Sequence, residues 1–384
     1  MWKLILMILG LSFVYYKCVA DWERVAFKNF NIKRWSGDQE VFPEEETDYN
    51  LEIVNNKIFP LLWLTIRYDM PGGLTIKGEE KSYQYKHGEI SAHNILLSLF
   101  LFQKVKHKYK IFFKERGYYH LNKIQAVTSD YFGFKKVVNE YDCPVRFVVY
   151  PKLYPIEELI IKENSYLGEN IVKRWIMDDP TYFSGVREYT FNEPIKQIHW
   201  KASAKTGDLQ VKVNDYSADV SILYVLDLGY DRSEHVTSRH PLSERLIEVV
   251  AAYIHLAEEK QYEYGFATNY IIHGESIKSI IVPPNRGEGH LASCFQMLAK
   301  IMEYANIDIT NLLYDVANTL TRSTVISLTT YNLNDKLIDA LNDLRLRGFI
   351  VEINTYEEEL ENWPVLREIG EVKVIKEGGL KDGR

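Results

Sequence analysis

The sequence has little cysteine, and what it has is scattered. Cys18, Cys143 and Cys294 are too few and too far apart for a disulfide framework or a thiolate zinc site. With only 12 Pro and 21 Gly in 384 residues, there is no room for a collagen repeat or a long flexible linker. Nor is there an excess of positive charge. The formal net charge is −7, which excludes a protein coating nucleic acid along its whole surface and leaves only a local basic patch open. Walker A, HExxH, CxxC and GxSxG motifs are all missing. The ten histidines are dispersed, none spaced for a helical ligand pair. What remains is a globular composition, 46% hydrophobic and 13% aromatic with 27 Tyr, enough for two or three domains that each close a core. Scarce cysteine also suits a body kept on the reducing side of a membrane.

One stretch departs from that composition. Leu4 to Tyr16 carries no charge over 13 residues and is fenced by Lys3 and Lys17. A spanning helix wants about 20 apolar residues, so a span also needs Met1, Trp2 and the stretch to Trp22. Lys17 can snorkel and Trp22 can sit at the interface. The competing reading is a secretory signal, with Cys18-Val19-Ala20 as a small-x-small cleavage site. A buried helix ranks third, because no polar face is visible. Lys17, Arg24, Lys28, Lys33 and Arg34 follow the run, and basic flanks stay cytoplasmic. The leading expectation is a single-pass cell-membrane protein held through residues 4–20, its body cytoplasmic; an extracellular body is the alternative.

Beyond the lead, the grammar changes once. Between about Phe27 and Tyr150 short strands alternate with turn signals at Asn55-Asn56, Met70-Pro71-Gly72-Gly73, His87-Gly88 and Arg116-Gly117, which predicts an antiparallel β-sandwich. Lys108–Lys114 and Tyr118–Thr128 read as a hairpin, and the uncharged run Ile95–Phe102 as a buried strand. After Asp219, apolar strands such as Ser221–Leu228 and Val325–Thr329 alternate with helices at Leu242–Glu259, Leu291–Tyr304 and Asp335–Arg347. That pattern predicts a mainly parallel sheet covered on both faces. The expected division is an anchor or signal at 1–22, a sandwich at 27–180, a connecting segment at 183–216 and an α/β domain at 217–384.

Two near-motifs are incomplete. Lys205-Thr206-Gly207 copies the KTG triplet of penicillin-recognising enzymes, but no Ser is followed by Lys three residues on; a helix ending at Gly207 is the better reading. Gly287-x-Gly289-x-x-Ala292 follows a strand and opens a helix, as a dinucleotide loop does. Pro283-Pro284-Asn285-Arg286 lengthens the connection, however, and no apolar strand precedes Asp308, the acidic residue about 20 positions on.

The most structured stretch is Phe183–Lys212, which holds five Lys/Arg against three Asp/Glu. Pro194 suits the first position of a helix on which Ile195, Ile198 and Ala202 share a face and Lys201 and Lys205 share another. Trp200 is expected to pack this unit onto the sandwich, so that His199 and Trp200 hold the fold. A structural clasp is the leading reading, a docking or anion-binding surface the sharper one, and nucleic acid the least favoured.

Arg187-Glu188-Tyr189, then His199-Trp200-Lys201-Ala202-Ser203-Ala204-Lys205, then Leu209 and Val211-Lys212 resemble the hallmark of the bacterial domain of unknown function 58 family. Arg116-Gly117-Tyr118, Asp130-Tyr131-Phe132-Gly133-Phe134 and Val149-Tyr150-Pro151 extend the resemblance to roughly residues 27–230. It implies a C-terminal domain similar to the von Willebrand factor type A fold, with a Rossmann-type sheet, and association with a MoxR-type AAA+ ATPase. Such domains often bind a divalent ion through Asp-x-Ser-x-Ser. Here the matching place reads Asp227-Leu228-Gly229-Tyr230-Asp231, which lacks both serines and leaves Asp227 and Asp231 as a degenerate pair.

The expected function is therefore a membrane-anchored, non-enzymatic adaptor with no cofactor, working with a MoxR-type ATPase in complex assembly or envelope maturation. Its interaction or clasp residues are Arg187, Glu188, Tyr189, His199, Trp200, Lys201, Ser203 and Lys205. A secreted or surface-exposed binding protein is the runner-up, and an enzyme of unrecognised type the third reading.

Overall fold

The computed structural model describes residues 21–77, 85–87, 90–131, 133–161, 183–190, 198–214, 221–228, 241–272, 280–305, 307–320 and 324–376. The apolar run at 4–16, Pro194 and Asp231 lie outside them. Among the described residues no helix is long and apolar enough to cross a membrane. The protein is a mixed α/β chain with several sheets, divided into two compact units, 1–152 and 153–384.

The first unit holds β1 (Phe30–Ser36), β2 (Glu40–Val41), β3 (Thr47–Asn55), β4 (Leu61–Pro71), β5 (Leu74–Ile76), β6 (Tyr85–His87), β7 (Ile90–Leu99), β8 (Lys104–Phe113), β9 (Gly117–Ser129) and β10 (Lys136–Val149). They form a four-stranded sheet, β1-β3-β8-β5, and a six-stranded one, β2-β10-β9-β4-β7-β6. Side chains alternate in and out with the period of two that strands impose. One apolar cluster takes Tyr49, Leu51 and Ile53 from the smaller sheet and Leu64, Ile66, Ile124 and Phe147 from the larger, so the two sheets face each other across a shared core.

Two expectations fail here. The strands flanking Arg116-Gly117 are no hairpin: β8 pairs with β3 and β5, whereas β9 pairs with β10 and β4. The connection crosses from one sheet to the other, and Phe113 meets Tyr119 across the core at 4.7 Å between ring centroids. The run Ile95–Phe102 is not a buried strand either. Strand β7 ends at Leu99, and Leu96, Phe100, Leu101 and Phe102 are exposed.

A charge is buried between the sheets. Arg34 on β1 donates from Nε to Cys143 O (2.7 Å), and from Nη2 to Leu121 O (2.5 Å), Asn122 O (3.1 Å) and again Cys143 O. Pairing of β9 with β10 shifts register between Asp142 and Val145, which frees carbonyls from the ladder, and the guanidinium collects them. A second buried cation, Lys57, donates to Asn55 Oδ1 at 2.8 Å.

The second unit holds β11 (Ile160–Ile161), β12 (Phe183–Glu188), β13 (Gln210–Asn214), β14 (Ser221–Leu226), β15 (Glu263–Thr268), β16 (Tyr270–Ile272), β17 (Ile280–Asn285), β18 (Ile301–Ala305), β19 (Thr324–Thr329), β20 (Ile350–Thr355) and β21 (Glu371–Ile375). Its helices are α1 (Ile156–Leu159), α2 (Trp200–Thr206), α3 (Pro241–Glu259), α4 (Glu288–Lys300), α5 (Ile309–Thr319), α6 (Asp335–Leu346), α7 (Glu357–Asn362) and α8 (Leu366–Ile369). The seven-stranded sheet runs β11-β21-β20-β19-β14-β15-β17. Strands β21 to β15 are parallel, and both edges are antiparallel. Leu223, Val225, Ile326 and Ile353 pack under α5, α6, α7 and α8 on one face. On the other, Tyr253 of α3 stacks on Tyr224.

Residues 160–161, inside the expected 27–180 span, belong to this unit because Ile160 pairs with Ile375 on its sheet. The helix expected over Leu291–Tyr304 stops at Lys300, since Ile301–Ala305 pairs with β16 as a strand. Elements α5 and β21 go beyond those expected from periodicity.

Replacing Arg34 with Met strands the carbonyls of Leu121, Asn122 and Cys143, and we expect a loss of about 2–4 kcal/mol in urea denaturation. For Lys57, burial pushes the ammonium down from 10.5 to about 8. Between those values the unfolded chain holds a proton that the folded chain lacks, so this site's contribution to stability rises with pH across that window. Lys57→Met should therefore gain on the wild type at neutral pH, by clearly less than about 3 kcal/mol because the buried Asn55 Oδ1 loses its donor. That advantage shrinks as pH climbs from 8 towards 10.5, which denaturation curves across the range would show.

Candidate functional site

Residues 183–214 build a small β–β–α element. Strands β12 and β13 are antiparallel, with Arg187 opposite Val211 and Glu188 opposite Gln210, and Ile198 bridges to Val211. Ile198 was expected on a helix face with Ala202; it lies in the bridge instead, and the helix starts only at Trp200. The cap explains that start. Nδ1 of His199 accepts the Ala202 N–H at 3.0 Å, satisfying a donor that the first helical turn leaves open. In the neutral ring the proton is then on Nε2. The His199 N–H donates to Gln210 O at 2.7 Å. Ser203 Oγ donates to His199 O (3.1 Å) and accepts the Gln210 N–H (2.8 Å). Gly207, at φ 85°, ends the helix in the left-handed conformation that suits glycine.

The expected clasp residues thus divide in two. His199 and Ser203 are engaged in holding the element together, over the buried pair Ile198 and Val211. Trp200, Lys201 and Lys205 lie exposed on α2, as do Arg187 and Glu188 on β12, with Tyr189 half-buried. Trp200 was expected to pack down; it is 65% exposed. A seven-residue helix has two sides, and His199 and Ser203 take the inner one, which leaves the indole outside.

In parallel sheets ligands collect at the carboxyl ends of strands, where the strand order reverses. Here that place lies between β14 and β19, and Asp227 stands at it, buried. Its Oδ2 accepts from Thr330 Oγ1 at 2.9 Å and its Oδ1 faces Asn269 Nδ2 at 3.5 Å. Thr330 Oγ1 in turn accepts the Asn332 N–H at 3.2 Å. Two donors, the Thr330 hydroxyl and the Asn269 amide, face the carboxylate, and beside it Asn269 Oδ1 is buried without a hydrogen-bond partner. Among the described residues no three His, Cys, Asp or Glu side chains converge as metal ligands.

A family model described as "Protein of unknown function DUF58" matches residues 185–376, half of the chain, taking in the β–β–α element and the seven-stranded sheet from β14 to β21. The chain belongs to the DUF58 family. No curated protein matches it. Among solved structures it is similar to the major pilin subunit BcpA of Bacillus cereus (12% identity, 32% of this chain and 41% of that one, TM-score 0.23). It is also similar to a CARDB domain from Pyrococcus furiosus (15%, 31% and 91%, TM-score 0.20) and a non-cellulosomal cohesin from Archaeoglobus fulgidus (13%, 31% and 91%, TM-score 0.21). The chain spans less than half of the pilin's length. At these TM-scores the likenesses bear on neither fold nor function.

Two further places in this DUF58 chain hold reactive side-chain types. At the Gly287 loop, the Glu258 carboxylate accepts the Gly287 N–H (3.0 Å) and the Tyr264 hydroxyl (2.9 Å). A protein carboxylate therefore sits at the amide where a dinucleotide pyrophosphate would bind. Asp308, about 20 residues on, caps α5 through the Thr310 N–H at 2.9 Å. Inside α4, Cys294 Sγ lies 3.8 Å from His290 Nε2, but that nitrogen is 2.7 Å from Tyr264 O. Burial pushes the Cys294 thiol up to about 12, which leaves no thiolate for attack at neutral pH.

Sequence reasoning missed a buried polar network beneath α3. Lys373 Nζ meets Glu352 Oε2 at 2.8 Å, Glu352 Oε1 accepts from Ser327 (3.0 Å), Ser327 accepts from Asn354 (3.0 Å), and Asn354 Oδ1 accepts from Tyr253 (3.1 Å). Burial works to lower the Lys373 ammonium, but Glu352 and Glu371 outweigh it and hold it above its ordinary value. Burial raises the Glu371 carboxyl, and the phenols of Tyr224 and Tyr253 lie well above the usual range for the same reason. The sequence signal was there: Ser327, Glu352, Asn354 and Lys373 sit in parallel strands that ought to be apolar throughout.

The cap gives a local test. His199→Ala should cost about 1 kcal/mol at α2, seen as roughly fivefold faster hydrogen exchange of the Ala202 amide, while His199→Asn keeps an acceptor and exchanges near the wild-type rate.

Proposed function

We propose that this DUF58 protein is a membrane-anchored, non-enzymatic adaptor that docks a MoxR-type AAA+ ATPase through the β–β–α element at 183–214. The observation that carries the reading is the division of labour within that element. His199 and Ser203 are consumed by folding, while Trp200, Lys201 and Lys205 are presented to solvent on one short helix. An exposed indole beside two lysines is a poor device for stability and a good one for recognition: aromatic anchors dominate interface energetics, and charges steer encounter with an acidic partner. On this reading the first unit is a β-sandwich, and the second is a Rossmann-type, von Willebrand factor type A-like domain. Residues 4–20 hold the chain in the cell membrane with its body cytoplasmic, and complex assembly or envelope maturation is the process served.

Support for the non-enzymatic part is the chemistry of the candidate groups. Asp227 is bonded to the Thr330 hydroxyl, Glu258 accepts the Gly287 amide, and the Cys294 thiol is held protonated. The test is co-purification from native membranes in mild detergent. A MoxR-type ATPase should accompany the wild-type protein, and capture should fall at least tenfold in the Trp200→Ala/Lys201→Glu variant with unchanged thermal unfolding, since truncating an interface anchor costs about 2 kcal/mol or more. Repeated absence of the ATPase, or equal capture by the variant, would sink the proposal.

A further inference from the structure

The first unit gathers its exposed apolar side chains at one end. Register places the last residues of β3, β7 and β9 at the same end as the first residues of β1, β4, β8 and β10. The loops at 56–60, 100–103 and 130–135 emerge there. Ile58, Phe59, Phe100, Leu101 and Phe102 are each at least half exposed in the first two loops, and Phe134 is 77% exposed in the third. Among the described residues of this unit, Trp35 is the one large exposed hydrophobic that does not lie towards this end. A patch of this kind on a folded unit marks a surface made to be covered.

The end is built rigidly. Asn55, fully buried, donates from Nδ2 to Phe59 O (3.0 Å) and Phe100 O (2.8 Å), and its Oδ1 holds Lys57. Phe102 N–H donates to Lys57 O at 3.3 Å, which ties the two apolar loops directly. Phe102 itself carries the sharpest signal. Its φ is 51°, a conformation that favours Gly or Asn, and its ring is 63% exposed. A bulky apolar residue at that position costs folding free energy twice, through backbone strain and through exposure, so its reason lies outside the folded unit.

What covers the patch follows from its neighbours in the chain. Asn56 N–H donates to Asn29 O, Trp22 packs edge-on to Tyr131 at 5.4 Å, and Lys135 pairs with Glu23 at 3.1 Å. The segment 21–29 therefore enters at this same end, and five residues before it in sequence ends the uncharged run Leu4–Tyr16. Residues 58–64 and 95–102 contain no charge, whereas Lys28, Lys104 and Lys106 are exposed behind them, three cations against the single Glu52 carboxylate that Lys104 and Lys106 share. An apolar front with aromatics and a cationic rim is the pattern of a surface lying in the interfacial layer of an anionic bilayer.

We infer that this end of the first unit is seated in the interfacial layer of a lipid bilayer, with Phe59, Phe100, Leu101 and Phe102 inserted. The inference deepens the membrane part of the function proposed above and is separable from the retention of residues 4–20. The full chain carrying Cys18→Ser and Leu101→Cys is labelled at position 101 with a nitrobenzoxadiazole dye, Cys143 and Cys294 being buried. It is then bound to vesicles of three parts phosphatidylcholine to one part phosphatidylglycerol containing nitroxide-labelled lipid. The expected result is loss of most of the fluorescence at 101 and little loss in a chain labelled through Asp38→Cys, at the far end of the unit. Phe102→Asn should melt higher and lose much of that quenching. Vesicle-bound protein with equal quenching at 101 and 38 overturns the inference while leaving the anchor standing, and points the patch to a protein partner. Quenching at 101 in protein whose mature N-terminus is Asp21 supports it and removes the anchor. Failure to bind vesicles at all overturns both.

Discussion

A guanidinium shared among three carbonyl oxygens and the Tyr49 hydroxyl is the constraint on which the first unit turns. Arg34 belongs to the four-stranded sheet and reaches Leu121, Asn122 and Cys143 in the six-stranded one, at the bulge where β10 falls out of register with β9. Apolar packing between two sheets is non-directional and tolerates a slide by one pleat. A fork of hydrogen bonds does not. By fixing β1 against β9 and β10, Arg34 also fixes β3, which pairs with β1, and hence Asn55 and the two loops that Asn55 gathers. The geometry of the apolar end is thus inherited from a cation in the middle of the core.

The second unit deals with buried polarity differently. Beneath α3 the sheet carries a chain of partners from Tyr253 through Asn354, Ser327 and Glu352 to Lys373, every link within 3.1 Å. Such a network contributes less to stability than well-packed hydrophobics would and specifies a single arrangement better, because a shifted strand would leave several charges and amides unpaired at once. Asp227, bonded to Thr330, and Glu258, bonded to the Gly287 amide, are likewise tied to neighbours in the fold. On the surface, the β–β–α element presents Trp200, Lys201 and Lys205 to solvent.

Much of this architecture was legible in the sequence. The change from period-two strands to strand–helix alternation marks the passage from antiparallel sheets to a parallel one, and α3 runs over Pro241–Glu259 as Pro241 and the following amphipathic pattern indicate. The failures share a cause. Period two identifies a strand but not its sheet, so β8 and β9 read as a hairpin although Phe113 and Tyr119 approach from opposite sheets. Hydrophobicity identifies a wish to leave water but not the destination, so Ile95–Phe102 read as core. Periodicity carries the helix through Ile198, which lies in a bridge, because a capping His199 is visible only once its ring is seen against Ala202. The KTG triplet is legible as a helix end, since Gly207 takes the left-handed conformation that closes one.

The pairing of β11 with β21 has a mechanical consequence. Ile160 lies opposite Ile375 and Ile161 opposite Val374, and the Lys376 N–H donates to Leu159 O at 2.8 Å. The chain enters the seven-stranded sheet and leaves it side by side, on one edge and at one corner. Tension between these two points would not load the ladder in shear, with its bonds sharing the force. It would peel them open one at a time, beginning at Leu159 and Lys376. Under load applied at those two ends, that corner is the fuse.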